Sequence, residues 1–165
     1  MSKNSYLYFF IASFCLLAFA MFIQHFGWLG VHYPPCPLCI LQRLAFLLIA
    51  VVCLIAYCFE KTRKAFHYLA LLLTLLGIAI ALRHQWVIVY PESSCGLDPL
   101  EVFINQFSFV QAVPFFFKAD GFCSMPLPPI FFLSVPSWSL LFFCIFFILL
   151  IKNLKFKRAR VQNVS

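Results

Sequence analysis

Four long hydrophobic runs, separated by polar stretches, dominate the pattern of the chain. They lie at about 6–24, 39–59, 66–87 and 136–151, and each is long enough to cross a bilayer. Because a bilayer core offers backbone groups no water, these runs are predicted to be helical. The pattern therefore predicts an all-α integral membrane protein. It would be a bundle of four transmembrane helices that forms a single domain over residues 1–165.

The polar stretches between the runs predict two outer loops of unequal length, 25–38 and 88–135. Within the longer loop, Leu100 to Phe109 is predicted to form a short amphipathic helix lying on the membrane. The turn between the second and third hydrophobic runs, Glu60 to Lys64, is short. The second and third helices are therefore predicted to be antiparallel neighbours.

The first hydrophobic run has one feature of a signal peptide. Ala18-Phe19-Ala20 has the small-x-small form of a cleavage site. However, the triplet lies inside the run, because Met21-Phe22-Ile23 continues it. We therefore interpret this segment as a membrane helix.

Composition agrees with the membrane assignment, because 64% of the residues are hydrophobic and only 10% are charged. The net charge of +7 does not indicate a nucleic-acid-binding protein, because nearly all the basic residues outside the spans lie at one set of helix ends. One set of helix ends carries Lys3, Lys61, Arg63, Lys64, Lys152, Lys155, Lys157, Arg158 and Arg160. The opposite connections carry only Lys118.

This bias follows the positive-inside rule and predicts that both termini lie in the cytoplasm. The basic tail is expected to contact anionic lipid as well. The two outer loops would then lie in the periplasm of a bacterium, a compartment in which disulfides persist.

The eight cysteines divide by location. Four lie within predicted spans, where a thiol behaves as a small hydrophobic group: Cys15, Cys53, Cys58 and Cys144. The other four lie on the outer side and indicate a dithiol framework there: Cys36, Cys39, Cys95 and Cys123.

Cys36 and Cys39 follow Pro34-Pro35, at the start of the second helix. As a structural staple they would add little, because closing so short a loop gives roughly 2 kcal/mol before strain. A redox-active pair benefits more from this position, because a helix N-terminus stabilises a thiolate. Zinc sites use the same spacing, so the spacing alone does not decide between them.

Cys95 and Cys123 allow two interpretations. A disulfide between them would close a loop worth roughly 3.5 kcal/mol as a staple. Alternatively, their shared side with the first pair suggests a second exchanging pair that can reach soluble partners. Spacing leaves both interpretations open.

Two basic residues accompany the first pair. Arg43 follows Cys39 by four residues, so on a helix the two share a face. It is either a snorkelling interfacial arginine or a cation for a thiolate and an electron acceptor that becomes anionic. His84, at the outer end of the third helix, is expected level with Cys39. It is either interfacial or part of the same site.

The whole set of features resembles the disulfide bond formation protein B family (DsbB), the quinone-reducing membrane oxidases of bacteria. The resemblance spans nearly the whole chain. Its core is Cys36-x-x-Cys39-x-x-x-Arg43 at the start of the second helix. The other matching features are Gln24-His25, His84, Cys95, Cys123 and the Pro136-x-Trp138 that opens the fourth helix.

The resemblance implies a periplasmic protein partner at the outer cysteines. A Cys95–Cys123 disulfide would accept electrons from a reduced thioredoxin-fold oxidase of the DsbA type, with attack at Cys95. Exchange with Cys36–Cys39 would then regenerate that disulfide. The implied location is the bacterial inner membrane.

The resemblance also implies a quinone cofactor, ubiquinone or menaquinone. Cys39 would face it, Arg43 would stabilise its charged species, and His84 would line the same pocket. Protein groups would supply position and charge, and the quinone would supply the oxidising power.

Three alternatives remain from the sequence. The first is a quinol-dependent disulfide reductase of the kind related to vitamin K epoxide reductases, which would use a similar scaffold in reverse. The second is a membrane protein that binds a metal through Cys36, Cys39 and histidines. No outer cluster of acidic residues and histidines supports it. The third is a purely structural membrane scaffold.

Overall fold

The structure is a computed structural model. It describes residues 3–28, 30–31, 33–90 and 128–162, with side chains as far as residue 154. The predicted amphipathic helix at Leu100 to Phe109 lies outside the described residues.

Four helices account for most of the described chain. They are α1 (Lys3–Phe26), α2 (Pro37–Cys58), α3 (Arg63–Val89) and α4 (Val135–Gln162). All four are long and apolar enough to cross a membrane, α4 through its segment Val135–Leu154. The described residues form no strand, and the predicted all-α fold with four membrane-length helices is confirmed.

The start of α2 follows directly from the sequence. Pro37 occupies the first turn, where its fixed φ suits a helix and its missing N–H would have no partner. Cys36 is the N-cap residue, with extended backbone angles of φ −85° and ψ 165°. The helix therefore begins inside the Cys-x-x-Cys motif, which places Cys36 at its tip and Cys39 in its first turn.

The turn from α2 to α3 is short and held by one side chain. Arg63 donates from Nε to the Ala56 carbonyl at 3.1 Å, near the end of α2. It also pairs with Glu60 at 3.0 Å. These contacts satisfy an otherwise unpaired helix-end carbonyl and fold α3 back against α2.

Helix packing follows chain order, with α1 on α2, α2 on α3 and α3 on α4. The core contains two stacked rings, Phe46 of α2 and Phe143 of α4, with centroids 4.1 Å apart. Gly77 of α3 lies directly against Phe143. A Cβ at position 77 would come within 2.5 Å of that ring. The missing side chain is what lets α3 and α4 approach so closely.

The end of the bundle that carries Cys36 is here called the cysteine end. At this end a tight turn, Ile130 to Leu133, precedes α4. Trp138 of α4 donates from Nε1 to the Ile130 carbonyl at 2.9 Å. Tyr33 donates from its hydroxyl to the Pro128 carbonyl at 3.1 Å. The segment before α2 and the segment before α4 are therefore tied together above the helices.

Candidate functional site

The two cysteines at the start of α2 lie in contact. Their Sγ atoms are 3.4 Å apart, whereas a disulfide bond is about 2.05 Å long. The backbone N–H of Cys39 donates to the Cys36 sulfur at 3.4 Å, in the manner of an N-cap. Cys36 is buried and Cys39 half-buried. The pair is thus held within reach of bond formation at a helix N-terminus, where partial positive charge favours a thiolate.

His84 of α3 completes a buried polar group behind the pair. Its Nε2 lies 3.5 Å from the Cys36 sulfur, and its Nδ1 lies 3.2 Å from Nε2 of Gln42. Both His84 and Gln42 are almost fully buried. The antiparallel packing of α2 and α3 places the end of α3 level with the Cys-x-x-Cys motif, where His84 contacts Cys36.

Arg43 lies on the other side of the pair and is held by α1. Its guanidinium donates to the side-chain oxygen of Gln24, and it contacts the Met21 sulfur and the Ala20 carbonyl, each at 3.5 Å. An arginine inside an apolar span requires such partners, because leaving its donors unpaired in a bilayer is costly. The contacts direct the cation toward Gln24 and α1.

A cavity of about 430 Å³ lies between α1, α2 and α4 at the cysteine end. Its polar lining includes Gln24, Cys39, Gln42 and Arg43. Most of the remaining described lining is apolar, and its aromatic members are Phe19, Tyr33, Phe46, Phe131, Trp138 and Phe142. The site therefore combines a cysteine thiol, a cation and a large apolar volume.

The cavity exists because α1 and α4 diverge. Toward the opposite end of the bundle the two helices touch, with the rings of Phe9 and Phe146 5.3 Å apart. Toward the cysteine end, Ala20 of α1 and Ser139 of α4 both line the cavity. Phe19 and Cys15, also in the lining, are exposed at the surface of α1. The opening between α1 and α4 thus lies along the apolar flank of the bundle.

Three of the site residues also have ligand atoms suited to a soft metal ion. The sulfurs of Cys36 and Cys39 and a ring nitrogen of His84 all lie within 4.8 Å of one another. Zinc accepts this type of ligand set. Metal binding therefore competes with redox chemistry as an explanation of the cluster.

The structure brings together four of the six residues singled out from the sequence. Cys36, Cys39 and His84 form one group, and Arg43 lies on the cavity wall beside Cys39. His84 contacts Cys36, while the described cavity lining comes from α1, α2, α4 and the segments next to them. The remaining two, Cys95 and Cys123, lie outside the described residues.

Two residues that contact the site residues were not predicted from the sequence to belong to the site. Gln42 contacts His84, and Gln24 accepts a hydrogen bond from Arg43. A signal was present for Gln42, because a polar side chain one residue before Arg43 in an apolar span marks a functional or paired position. Gln24 appears in the sequence analysis only as part of Gln24-His25, among the features that match the family, with no role assigned to it.

Comparison with known proteins gives one consistent result. The family model described as disulfide bond formation protein DsbB matches residues 2–152. A Cupriavidus necator protein named disulfide bond formation protein B is 41% identical over 144 residues, covering 86% of this chain and 87% of the relative. A protein of the same name from Herminiimonas arsenicoxydans is 40% identical over 136 residues, covering 82% and 84%. One from Pseudomonas syringae pv. tomato is 37% identical over 127 residues, covering 76% and 73%.

Proposed function

This chain belongs to the disulfide bond formation protein DsbB family, and we propose that it is a membrane thiol:quinone oxidoreductase that reoxidises a periplasmic thioredoxin-fold oxidase of the DsbA type. One observation carries the proposal. The Cys36–Cys39 pair opens a membrane-length helix, and Cys39 faces an apolar cavity beside Arg43. A purely structural disulfide would need neither the cavity nor the cation.

Electrons would pass through two disulfides in series. A thiolate of the reduced partner attacks the Cys95–Cys123 disulfide, at Cys95, and a second partner thiol releases the partner as a disulfide. The reduced outer pair then attacks Cys36–Cys39, which leaves that pair as a dithiol and restores the outer disulfide. Two electrons and two protons move at each stage.

The cavity fits ubiquinone or menaquinone. Its volume of about 430 Å³ lies within the usual range for small-molecule sites, and its aromatic lining suits a flat ring with an apolar tail. Bound there, the quinone would supply the oxidising power, since it takes up two electrons and two protons as it becomes a quinol. Arg43 would stabilise negative charge on the quinone oxygens, and Cys39 would be the cysteine nearest to it.

The geometry suggests a different place for His84 than a quinone contact. Its ring lies against Cys36, on the α3 side of the pair, whereas the cavity opens between α1 and α4. We therefore assign His84 to the sulfur of Cys36 and leave Arg43 as the residue that holds the quinone.

The proposed location is the bacterial inner membrane, with both termini in the cytoplasm. The basic residues of the Glu60 to Lys64 turn and of the α4 tail lie at the end of the bundle away from Cys36. By the positive-inside rule, that end would be cytoplasmic, and the cysteine end would face the periplasm.

The direct test is quinone reduction by the purified protein in lipid vesicles. Reduced partner oxidase is added, and loss of quinone absorbance is followed. Wild-type protein should convert one quinone per partner disulfide formed, and Cys36→Ser should convert none. Arg43→Ala should raise the apparent KM for quinone while leaving partner exchange at Cys95–Cys123 intact. Equal loss of both steps would show that Arg43 is structural.

A second test identifies the protein partner. Cys123→Ser should trap a mixed disulfide between Cys95 and a periplasmic thioredoxin-fold protein in living cells. Cys95→Ser is the matched control and should lose this adduct. If Cys123→Ser yields no adduct, the oxidase proposal fails.

Two rivals are distinguished by the same preparations. A quinol-dependent reductase would transfer electrons from quinol to an oxidised partner faster than in the forward direction. A metal protein would be purified with stoichiometric zinc, and His84→Gln would lower its zinc content. The proximity of the three ligand atoms makes the zinc measurement worthwhile.

A further inference from the structure

Gln42, His84 and Cys36 form a line of buried polar contacts across α2 and α3. Nε2 of Gln42 lies 3.2 Å from Nδ1 of His84, and Nε2 of His84 lies 3.5 Å from the Cys36 sulfur. Gln42 is 3% exposed and His84 is 4% exposed. Buried polar groups of this kind are costly unless their donors and acceptors match, so the direction of each hydrogen bond is constrained.

The contacts of Cys36 indicate which group donates in the hydrogen bond between its sulfur and His84. A thiol has one proton, and that of Cys36 is directed at the Cys39 sulfur, 3.4 Å away. The Cys39 N–H already donates to the Cys36 sulfur. With the thiol proton engaged elsewhere, the contact with His84 needs a proton on Nε2 of the ring.

The amide of Gln42 supports the same assignment from the other side of the ring. An amide nitrogen only donates, so a contact between it and Nδ1 requires a lone pair on Nδ1. In a neutral imidazole the proton is then on Nε2. The other orientation of the amide would place the proton on Nδ1, and Nε2 would become an acceptor suited to act as a base.

We propose that Gln42 is a positioning residue that holds His84 as its Nε2–H tautomer, so that His84 donates a hydrogen bond to the Cys36 sulfur. The proposal rests on the proposed redox function of the pair and adds a role for Gln42. Histidine here is a donor to sulfur and takes no proton from it.

The consequence for the chemistry concerns the thiolate of Cys36. Whenever a disulfide bond to Cys36 breaks with its electron pair moving to Cys36, that sulfur becomes a thiolate. Formation of the Cys36–Cys39 bond again begins from a thiolate. A hydrogen bond to the charged sulfur stabilises it more than one to a neutral sulfur. Gln42 would thus increase the thiolate share of Cys36 through His84.

The decisive measurement is the tautomer of His84 in the reduced, full-length protein. The protein is labelled with ¹⁵N-histidine in detergent micelles, and the His84 signals are identified by their loss in His84→Gln. Nitrogen shifts and one-bond N–H couplings should show a protonated Nε2 and an unprotonated Nδ1. A protonated Nδ1 with an unprotonated Nε2 would overturn the proposal, and this measurement needs no variant of Gln42.

The second measurement is the alkylation rate of Cys36 in a Cys39→Ser background, resolved by mass spectrometry of the modified peptide. Gln42→Met keeps the side-chain length but removes the donor. It should slow alkylation about threefold to tenfold. The fall in thiolate share outweighs the gain in intrinsic nucleophilicity, because reactivity changes less steeply than thiolate share.

Gln85→Met is the matched control. Gln85 is the next residue along α3, and its amide donates to Ser134 and Ser137 and not to His84. With Gln85→Met, the alkylation rate of Cys36 should equal that of the Cys39→Ser background protein. If Gln42→Met also leaves the rate unchanged, or if Gln85→Met slows it equally, the specific role of Gln42 is refuted.

Neither measurement uses quinone or the soluble partner, so failure here is separable from failure of the proposed function. Protein that reduces quinone but has the Nδ1–H tautomer would retain the oxidoreductase function and lose the role of Gln42. Protein with the Nε2–H tautomer and no quinone reduction would retain the role of Gln42 and lose the oxidoreductase function.

Discussion

Among single residues, Arg43 shows how a charge is placed within an apolar helix. Its guanidinium reaches α1, where the side-chain oxygen of Gln24 and the main-chain oxygen of Ala20 accept hydrogen bonds. Arg43 lines the cavity together with Cys39. The position of the cation in the cavity therefore depends on α1 as much as on α2, the helix that carries it.

Gln24→Leu removes the side-chain acceptor of Arg43 without changing the charge of the site. Hydrogen bonds to charged groups are worth about 1.5 to 3 kcal/mol, part of which relaxation recovers. We expect the apparent KM for quinone to rise about threefold to tenfold, measured by quinone absorbance in vesicles. Exchange with the protein partner should be unchanged. An unaltered KM would show that Met21 and Ala20 hold Arg43 well enough alone.

The sequence identified the candidate site residues better than the residues that support them. Cys36, Cys39 and Arg43 share a spacing that one helix makes meaningful, so they could be predicted together. The contacts of Gln24 with Arg43 and of Gln42 with His84 cross between helices. Sequence gives the depth of a residue in a span, but not the rotation of one helix against another. His84 could therefore be placed level with the motif and not against Cys36.

At the scale of elements, the approach of α3 to α4 depends on one glycine. Gly77 lies beneath the ring of Phe143, which is fully buried and stacks on Phe46 of α2. Small residues at such positions allow close helix packing in membranes, where van der Waals contact replaces the hydrophobic effect. Three helices thus meet at one aromatic stack.

Gly77→Ala should destabilise the bundle, because its methyl group would lie about 2.5 Å from a ring that is confined by Phe46. We expect a loss of about 1 to 3 kcal/mol, as for overpacked cores. Thermal unfolding in detergent, followed by circular dichroism, should show a lower Tm. Adding Phe143→Leu to Gly77→Ala should partly restore the Tm, because the smaller side chain leaves room for the new methyl group. Additive effects of the two substitutions would exclude a direct clash.

The helices themselves were largely predictable, since long apolar runs leave a membrane chain few alternatives. The observed helices extend a few residues beyond the hydrophobic runs in α1, from Lys3, and in α3, to Val89, and much further in α4, to Gln162. By contrast, α2 ends at Cys58, just inside its run. Polar residues at span ends can continue a helix into the interface, where hydropathy gives no signal. The start of α2 was better defined, because Pro34-Pro35 and Pro37 limit where a helix can begin.

For the whole molecule, the main feature is the divergence of α1 and α4. The two helices meet at Phe9 and Phe146 and separate toward the cysteine end, where the cavity opens. No hydropathy pattern predicts this separation, because both helices are strongly apolar along their spans. It follows from the packing order, in which α1 is held by α2 and α4 by α3.

Ser139→Trp should fill the cavity from its α4 wall, since Ser139 is a small residue of the lining. Quinone reduction should fall at least tenfold at low quinone, while partner exchange and thermal stability stay close to wild type. Leu141→Trp is the control, because Leu141 lies on the same helix and is exposed on its surface. Equal inhibition by both variants would point to a general effect of tryptophan on α4 and away from the cavity.

The opening between α1 and α4 also determines how the enzyme would sense its oxidant. Because that opening lies along the apolar flank of the bundle, the oxidant would arrive by lateral diffusion, and its mole fraction in the bilayer would set the rate. Fusing quinone-free vesicles with the enzyme vesicles should therefore slow turnover at constant total quinone. Diluting the same vesicles with buffer, at saturating partner, should leave turnover per enzyme unchanged. Disulfide formation would then vary with the lipid-to-quinone ratio of the membrane.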